Sequence, residues 1–568
     1  MSSITKITLN EFFQLFQKCM PPSGWPTTLT IGNSGGPDSV CLMFLLSSLL
    51  AQGRGTQGLP SRLVSLHINH NWQESANDMA TRAEKYANNL GILNLTSTVD
   101  WSDPLYAPRP TLERFETVAR NIRRHKFFQG MSASKSTCLA LAHHSDDQAE
   151  TSIMRLMGGS GSYGASGMRR VRRWGMGLDE NKPVEYFGAA GVERYQVRPL
   201  IEVSKDRMLA TCQANGLEYV TDTTNFQPDI TVRNHVRHVL SSLKKNPGTS
   251  YQRVTQSIPN TDSAFVAREK QIMDTIKTLD PECKPQAVSV AIHNIGVQIE
   301  RDETAVTEFL RKYLIPAPPS TMLLTLSDLH SITDHSVRLL LIRRILRYVS
   351  PHPWGSPKAE ANGSSTRFEA MIRTIWNSTP SISTGGFSHG SKVFWRPVVL
   401  LPNGSVRFKE PEGPSEKIAW LISREPPYPG RVFEQSLKDP LTVDITSRMF
   451  EALNTRNTEP LQILYDGRFI LSMSHWLMEP ELVEILANPH SGARLLVLPD
   501  TKYFFPKLIL RQNGEKDRVI SRMELHSGDG SKIDLDDRRR INWTIVQQEL
   551  KMSRPWVTPR LARTWNNT

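Results

Sequence analysis

Residues 29–46, LTIGNSGGPDSVCLMFLL, hold two apolar runs joined by a turn rich in glycine and serine. The pattern predicts a strand, a tight turn and a helix, and such a turn can wrap backbone N–H groups around an anion at the helix N-terminus. Two glycines allow positive φ and a close approach of phosphate. The turn has no Gly-Lys-Ser/Thr, which excludes the common kinase-type phosphate loop. An ordinary surface turn is the other interpretation.

Six consecutive residues, here called the phosphate turn, are the candidate ligand contacts: Ser34, Gly35, Gly36, Pro37, Asp38 and Ser39. The two serines add hydroxyl donors, and the carboxylate of Asp38 can hold Mg²⁺. The turn therefore predicts a site for a phosphate-bearing ligand and a magnesium ion.

Strand-like and helix-like segments alternate from Leu29 to about Leu240. Apolar runs at 63–68, 93–99 and 138–142 predict further strands, and the last is small and apolar enough to be central. Such alternation predicts an α/β fold with a doubly wound parallel sheet. Ligands bind beyond the carboxyl ends of strands in these sheets, so the phosphate turn and the residues after Ala142 are expected to face one crevice.

The stretch that follows the central strand, residues 143–151, reads HHSDDQAET. Asp147 and Glu150 are three residues apart and share a helical face. Two acids near a helix N-terminus can hold a cationic amine, a magnesium ion, or both. The alternative is helix capping by Ser145 or Asp146, with the other acids solvated. A zinc site is disfavoured because the stretch lacks thiols and a helical histidine pair.

Basic side chains recur around these motifs. Arg120 could form a surface pair with Glu116 one turn away, or reach the crevice and contact phosphate. Arg233 and Arg237 share one helix face, which suits a polyanion but is also typical of a solvated basic face. Residues 169–196 are expected to be a surface insertion, and its first residues include Arg169, Arg170, Arg172 and Arg173.

The composition of the 568-residue chain narrows its class. A formal net charge of +12 is typical of proteins with a nucleic-acid partner. The five cysteines form no CxxC, so a disulfide framework or structural zinc site is not indicated and a reducing compartment is favoured. No apolar run is long enough to cross a bilayer, so we expect a soluble protein with no membrane partner.

Three domains are predicted. Residues 1–245 form the nucleotide-binding α/β domain. Residues 246–385 carry mainly helical periodicity and end in a stretch rich in Pro, Gly and Ser. Residues 386–568 hold short strand-like runs and predict a smaller α+β domain, and both later regions are candidates for nucleic-acid binding.

Together the motifs resemble tRNA(Ile)-lysidine synthases, a family of PP-loop ATP pyrophosphatases. The resemblance covers about residues 27–240 in consistent order and rests on these stretches: SGGPDS, HINH, ETVAR, HHSDDQAET, RLMGGSG, RPL and DTTNFQPDITVRNHVRH. One departure is Gln73, which stands where the family usually has arginine. The turn alone is shared with GMP, asparagine and NAD synthetases and with thiolating tRNA enzymes.

The resemblance implies an ATP- and Mg²⁺-dependent ligase that joins free lysine to carbon 2 of the wobble cytidine of an isoleucine tRNA with a CAU anticodon. The phosphate turn and His67 would bind ATP, with the metal on Asp38. Asp147 and Glu150 would bind lysine. His143 would contact the cytidine or the metal, and Arg120 would place the nucleotide. The tRNA phosphates would meet six arginines: Arg169, Arg170, Arg172, Arg173, Arg233 and Arg237.

Two rival functions are a PP-loop tRNA thiolase and a non-catalytic tRNA-binding homologue. The thiolases typically need paired cysteines, often CxxC, which this chain lacks. The family chemistry serves bacterial-type and organellar decoding, which favours the mitochondrion over the cytosol. A homodimer is left open.

Overall fold

The computed structural model describes residues 4–53, 58–72, 75–178, 182–220, 231–245, 263–377, 380–383, 385–425, 441–455, 459–488, 490–501, 503–527, 530–533, 541–542 and 548–565. Gln73 and the stretch Asp222-Thr223-Thr224-Asn225, both named above, lie outside these residues. No helix in the described part of the chain is long and apolar enough to span a membrane.

The contacts divide the chain into two compact units. The N-terminal unit comprises residues 1–174, 182–185 and 193–301, and the C-terminal unit comprises residues 175–181, 186–192 and 302–568. The predicted boundaries at 245 and 385 do not coincide with this division. The nucleic-acid roles predicted for the later regions stay predictions.

A six-stranded sheet with helices in the crossovers makes up the framework of the N-terminal unit. Its elements are β1 (Thr28–Gly32), β2 (Arg62–Asn69), β3 (Leu93–Thr98), β4 (Cys138–Ala140), β5 (Val171–Arg173), β6 (Tyr195–Val197), α1 (Leu9–Gln17), α2 (Pro37–Gln52), α3 (Ala76–Asn89), α4 (Leu112–Ala133), α5 (Ser145–Met157), α6 (Ser162–Ala165), α8 (Lys205–Ala214), α9 (Val232–Lys245) and α10 (Ser263–Leu279). Helix α7 (Gly188–Val192) belongs to the other unit, and α11 (Pro285–Tyr313) contains the boundary.

The strand order is β3-β2-β1-β4-β6-β5, parallel except for the antiparallel edge strand β5. The chain runs outward from β1 to β3 and then returns to place β4 on the other side of β1. The order therefore reverses between β1 and β4, which is where ligands bind in open α/β sheets. The predicted doubly wound sheet, with its central fourth strand, is confirmed.

Helix α2 is apolar on nearly every face and is buried because it packs against the sheet. Val40, Leu42 and Leu46 are at most 2% exposed. Gly36 is the N-cap and Pro37 follows at the first helical position, where its missing N–H costs no helical hydrogen bond. The helix therefore starts within the phosphate turn and points its N-terminus at the sheet edge.

The helices α5, α9 and α10 share a second apolar core in the same unit. Ile153 of α5 meets Val236 and Leu243 of α9 and Ile272 of α10, all buried. This packing fixes how α9 lies along α5, which matters for the charged residues that both helices carry.

The expectation of a surface insertion over residues 169–196 is wrong. Met176 and Val192 are buried and share a small core with Trp354, Ile470 and Ala562 of the C-terminal unit. Backbone bonds support this placement, because Met176 N donates to Trp354 O at 2.9 Å. The charged residues at the start of the segment indicated an exposed surface, although apolar residues that follow them are buried.

The C-terminal unit combines antiparallel sheets with helices, which confirms the predicted α+β character. The strands are β7 (Met322–Thr325), β8 (Val393–Leu400), β9 (Ser405–Arg407), β10 (Lys417–Arg424), β11 (Val443–Asp444), β12 (Leu461–Tyr465), β13 (Phe469–Met473), β14 (Arg494–Pro499), β15 (Pro506–Arg511), β16 (Arg518–Ser527), β17 (Ile541–Asn542), β18 (Gln548–Met552) and β19 (Val557–Leu561). They form three sheets, in the orders β17-β9-β8-β10-β7, β11-β14-β15-β16-β18 and β12-β13-β19. The helices are α12 (Leu326–His330), α13 (His335–Val349), α14 (Ser365–Trp376), α15 (Thr446–Asn454) and α16 (Pro480–Ala487).

A buried ionic cluster lies in the turn between β12 and β13. Asp466 accepts hydrogen bonds from Arg424 Nε at 3.0 Å and from Arg468 Nε at 2.8 Å. The guanidinium carbon of Arg424 lies 3.7 Å from the ring centroid of Phe504. Arg468 also donates to the backbone oxygen of Tyr503. The two guanidinium groups thus balance the charge of the Asp466 carboxylate, which is shielded from solvent.

Candidate active site

Hydrogen bonds to side chains hold the phosphate turn closed. Ser34 N donates to Ser39 Oγ at 3.2 Å, Gly35 N donates to Asn33 Oδ1 at 2.8 Å, and Gly36 N donates to Ser34 Oγ at 3.3 Å. These side-chain oxygens accept from backbone N–H groups that could donate to phosphate oxygens instead. The first N–H groups of a helix have no partner within the helix, so those of Asp38 and Ser39 add donors suited to an anion.

Gly35 has a φ of +75°, which L side chains rarely adopt. A Cβ at this position would lie 3.7 Å from the Cβ of Ala83, an ordinary contact. The backbone conformation, rather than lack of space, therefore requires glycine here.

His67 supports the turn from the neighbouring strand β2. Its Nδ1 lies 2.9 Å from the backbone oxygen of Asn33, so the ring must donate to that carbonyl. Burial lowers the pKa of His67, which keeps the ring neutral. In this structure the predicted ATP-binding residue contacts the protein backbone and positions the start of the turn.

Asp38 joins the phosphate turn to the second motif. Its carboxylate contacts the ammonium group of Lys205, the first residue of α8, and its Oδ2 lies 3.8 Å from His144 Nε2. The structure thus brings Asp38 and the HHSDD stretch together at the reversal of strand order, as the sequence predicts. Lys205 carries a mobile positive charge to the place where phosphates are expected.

The second motif begins α5 with a capping box, but Ser145 and Asp146 are not the cap. His144 is the N-cap: its Nδ1 accepts from Asp147 N at 3.4 Å, and Asp147 Oδ2 accepts from His144 N at 3.1 Å. The sequence-based choice missed this because histidine is an uncommon N-cap. Asp147 therefore has a structural bond in addition to any contact with a ligand.

The two acids predicted to bind lysine are paired with the two arginines predicted to bind tRNA. Arg233 donates from Nη2 to Asp147 at 2.6 Å and from Nε to Glu150 at 2.7 Å. Arg237 donates from Nε and Nη2 to Glu150 at 2.7 and 3.0 Å. We call these four residues the charge seam of α5 and α9. Contrary to the expectation, the two arginines face the carboxylates of α5.

Burial shapes the electrostatics of the charge seam. Glu150 is 2% exposed and Asp147 is 9% exposed. Desolvation acts to raise the pKa of Asp147, but His144 and Arg233 outweigh it and hold that pKa below its ordinary value. Both acids are therefore compensated, and a ligand can engage them only by exchanging ionic partners.

His143 lies beside the charge seam in a neutral form. Desolvation, reinforced by Arg198, lowers its pKa to about 3. Arg198 Nε donates to His143 Nδ1 at 3.2 Å, so the ring proton of the neutral form lies on Nε2. Desolvation and the nearby Arg172 and Arg155 lower the pKa of Arg198 to about 9. His143 can thus donate a hydrogen bond without carrying charge.

The remaining predicted contacts lie nearer the surface. Arg120 is exposed and forms the i,i+4 pair with Glu116 at 3.6 Å that the sequence offered as one alternative. Arg170 pairs with Glu202 at 2.8 Å, while Arg169 and Arg173 stack over tyrosines. Arg172 is exposed. Local contacts therefore hold Arg169, Arg170 and Arg173 within the fold.

The sequence argument did not single out Asn33 or Lys205, and it included Arg198 only within the RPL stretch. Arg198 directly follows β6, and Lys205 lies seven residues further along, beyond the carboxyl end of a strand next to β4. That position is the signal that could have found them, because parallel strands bring their carboxyl ends to one edge. Asn33 directly precedes the phosphate turn and bonds to Ser65 and Ala83.

A magnesium ion fits the donor chemistry only if a protein carboxylate and the phosphates of a substrate hold it together. The described residues hold no group of three or more His, Cys, Asp or Glu that could bind a metal. Mg²⁺ is commonly held by one or two carboxylates together with substrate phosphates. Asp38, in the first turn of α2, provides one such carboxylate.

Comparison with known proteins agrees with this geometry. Residues 7–243 match a family model described as PP-loop domain. A tRNA(Ile)-lysidine synthase of Bacillus subtilis is 30% identical over 304 residues, which cover 52% of this chain and 57% of the relative. That of Coxiella burnetii is 32% identical over 231 residues, covering 39% of this chain and 43% of the relative.

A Schizosaccharomyces pombe protein named probable tRNA(Ile)-lysidine synthase is 28% identical over 221 residues, covering 38% of this chain and 44% of the relative. The chain thus spans about half the length of the curated relatives it matches. The matched region contains the phosphate turn, the charge seam and the sheet that joins them. Residues 7–243 are therefore similar in sequence to the PP-loop domain.

Proposed function

We propose that this chain is a tRNA(Ile)-lysidine synthase, which uses ATP to join lysine to carbon 2 of the wobble cytidine in a CAU-anticodon isoleucine tRNA. The observation that carries the proposal is the 3.8 Å approach of Asp38 Oδ2 to His144 Nε2. This approach joins the phosphate turn to the N-terminus of α5, the helix that carries the buried carboxylates Asp147 and Glu150. The relatives described above supply the reaction.

In the first step the carbon 2 oxygen of cytidine attacks the α-phosphorus of ATP, the bond to the β-phosphate breaks, and pyrophosphate leaves. The phosphate turn and the N-terminus of α2 would stabilise the departing charge. Lys205 can turn from Asp38 toward a phosphate oxygen. Magnesium on Asp38 would neutralise further charge there. The neutral His143 can donate through Nε2 to the nucleotide.

The charge seam supports lysine as the second substrate. Free lysine carries one carboxylate and two ammonium groups near neutral pH. Its carboxylate can replace Glu150 on Arg237 while an ammonium replaces an arginine on the acids. The exchange keeps every buried charge paired, which avoids the cost of leaving one uncompensated.

In the second step the deprotonated ε-amine attacks carbon 2 and a carbon–nitrogen bond forms. The carbon–oxygen bond to the adenylate breaks, and AMP leaves with that oxygen. A nearby acceptor must take the proton from the ammonium before attack. Asp147 and Glu150 are the candidate acceptors, since their carboxylates would hold that ammonium.

Five arginines near the surface are proposed to meet tRNA phosphates: Arg120, Arg169, Arg170, Arg172 and Arg173. Arg233 and Arg237 would do so only after leaving the acids, so we assign them first to the lysine site. Phosphate contacts give affinity but little sequence information.

The state of the cysteines weighs against the rival thiolase. Cys19, Cys41, Cys138 and Cys212 are buried in the core of the N-terminal unit. Burial raises the pKa of Cys138, which disfavours the thiolate that sulfur transfer requires. Cys283 is far along the chain in the helical part of that unit.

The decisive experiment incubates the protein with CAU-anticodon tRNA, labelled lysine and ATP. We expect lysine in the tRNA together with AMP and pyrophosphate, and nucleoside analysis should identify lysidine. No incorporation into any CAU-anticodon tRNA would overturn the proposal. An Asp38→Asn variant should lose turnover and keep tRNA binding, and a Glu218→Gln variant should keep both because the Lys85–Glu218 pair is exposed.

We further propose a mitochondrial location, from the decoding system that such an enzyme serves, and leave a homodimer to measurement. Fractionation of cells that express the tagged protein tests the first point. Sedimentation of the purified protein tests the second.

A further inference from the structure

Two tryptophans lie just beyond the carboxyl ends of neighbouring strands in the N-terminal unit. Trp72 is three residues past the end of β2, and Trp101 is three residues past the end of β3. Their ring centroids are 6.1 Å apart, with the ring planes at 72°. Both side chains are half-buried, so each retains accessible surface. They stand at the sheet edge that also holds the phosphate turn.

The backbone fixes the position of Trp101. Its Nε1 donates to the backbone oxygens of His70 at 3.0 Å and Asn71 at 3.3 Å. Asn71 has a φ of +49°, and its N–H donates to Asn69 Oδ1 at 2.8 Å. The loop after β2 is thus tied to the loop after β3, and Trp72 is carried by that fixed loop.

Arg109 completes the cluster. Its guanidinium carbon lies 4.3 Å from the ring centroid of Trp72, and its Nη2 donates to the backbone oxygen of Trp72 at 2.6 Å. The arginine is exposed, so its charge faces solvent. A guanidinium over an indole ring forms a cation–π pair, and the planar guanidinium can itself stack on a nucleobase.

A second arginine lies near the loop that carries Trp72. Burial and then the charge of Arg123 lower the pKa of His70 to about 4, which places Arg123 close to the loop that carries Trp72. Two nearby acids accept hydrogen bonds within their own loop: Asp100 accepts from Ser102, and Asp103 accepts from the N–H of Leu105.

We propose that Trp72, Trp101 and Arg109 form a stacking platform for an unpaired nucleobase of the tRNA anticodon loop, next to the base that reacts. The inference rests on the proposed function, because it supplies the RNA. Proteins read unpaired RNA by stacking bases on aromatic rings and arginine planes, with nearby cations on the phosphates. Every base has a π-face, so the platform gives affinity and placement with little preference among bases.

The test measures binding of a 17-nucleotide anticodon stem-loop RNA by fluorescence anisotropy, without ATP or lysine. Trp72→Ala should weaken binding about 10-fold to 100-fold, in the range known for loss of one base stack. Trp72→Phe keeps a flat ring and should stay within about threefold of the parent. Arg109→Lys keeps the charge but loses the plane, and should fall between them.

Two controls separate stacking from folding. Thermal melting should show that Trp72→Ala remains folded. Leu93→Ala removes an apolar side chain that is 59% exposed at the amino end of β3, the edge of the sheet opposite the tryptophans. We expect Leu93→Ala to bind as the parent does. Photocrosslinking with 5-iodouridine beside the wobble position should attach RNA to Trp72 or Trp101, as mapped by mass spectrometry.

Binding by a folded Trp72→Ala protein within twofold of the parent, or crosslinks that map to neither tryptophan, would overturn the platform. Because the binding assay contains no lysine or ATP, its outcome is separate from that of the ligation assay. Tight, Trp72-dependent binding without lysine incorporation would retain the platform and refute the proposed reaction. Full lysine incorporation with binding that does not depend on Trp72 would support the proposed reaction and refute the platform.

Discussion

Each compact unit holds a buried acid between two arginines, and the two clusters differ in how they are covered. In the C-terminal unit the side chains of Asp466 and Arg468 are 3% and 1% exposed. In the charge seam the side chain of Glu150 is 3% exposed, whereas the side chains of Arg233 and Arg237 are 23% and 31% exposed. Solvent and ligands can reach the arginines of the charge seam but not Arg468.

The difference indicates two uses of one chemical motif. A sealed ion cluster holds neighbouring strands in register, because any change leaves a buried charge without a partner. An open cluster at the carboxyl end of a central strand can exchange partners with a charged ligand at lower cost. Burial of the cations, rather than of the acid, distinguishes the two.

The largest stability effect is expected for Asp466→Asn. Asparagine tolerates the positive φ of 49° at this position, so the change mainly removes charge. It leaves Arg424 and Arg468 without their acid and should lower the free energy of unfolding by about 3–5 kcal/mol. Urea denaturation provides the measurement.

Glu481→Gln is the matched control for that experiment. It breaks an Arg518 pair whose side chains are 53% and 67% exposed, and should leave the free energy of unfolding nearly unchanged. Equal losses from the two variants would contradict the view that the Asp466 cluster is sealed.

For the open cluster, Glu150→Gln should cost less stability, about 1–3 kcal/mol, because both arginines can regain water. Its lysine incorporation should fall at least about 100-fold at any stability. Denaturation and ligation assays on the same preparation separate the two effects. Retained ligation would remove Glu150 from the lysine site.

Arg237→Ala tests whether the arginine holds the carboxylate of lysine. We expect the KM for lysine to rise about 10-fold or more, as for loss of a charged hydrogen bond. The preference for lysine over cadaverine, which lacks the carboxylate, should shrink with it. If Arg237 only blocks the acids, the variant will instead bind lysine more tightly.

The neutral state of His143 predicts a pH dependence of stability. Its folded pKa of about 3 lies below its ordinary value of 6.5, so the unfolded chain binds more protons between these values. Stability from this group is complete above pH 6.5 and is lost as the pH falls, by at most about 1.4 kcal/mol per pH unit. His143→Asn should flatten that slope, and an unchanged slope would contradict the assignment.

The smallest stability change is expected for Arg120→Ala. The exposed pair with Glu116 is worth less than about 0.5 kcal/mol, so unfolding should barely change. If Arg120 contacts a phosphate, tRNA affinity should fall and its salt dependence should decrease by about one counterion. Unchanged salt dependence would contradict a phosphate contact by Arg120 and would support the surface pair with Glu116 alone.

Local sequence predicted much of the N-terminal fold. The phosphate turn, the apolar strands and the start of α5 all follow from short-range rules on glycine, apolar periodicity and helix termini. Those rules also located the site, since parallel strands with helical crossovers bring their carboxyl ends to one edge. They did not identify His144 as the cap, because histidine is rarely one.

The sequence by itself thus determined the parallel sheet, the phosphate turn and the position of Asp38 and Asp147 at one edge of that sheet. Only the tertiary structure decided the partners. Arg233 reaches Glu150 across 83 residues of chain, and Lys205 reaches Asp38 across 167. A basic helix face looks the same in sequence whether it meets solvent, RNA or another helix. The choice depends on which faces the apolar core brings together, and that is a property of the whole fold.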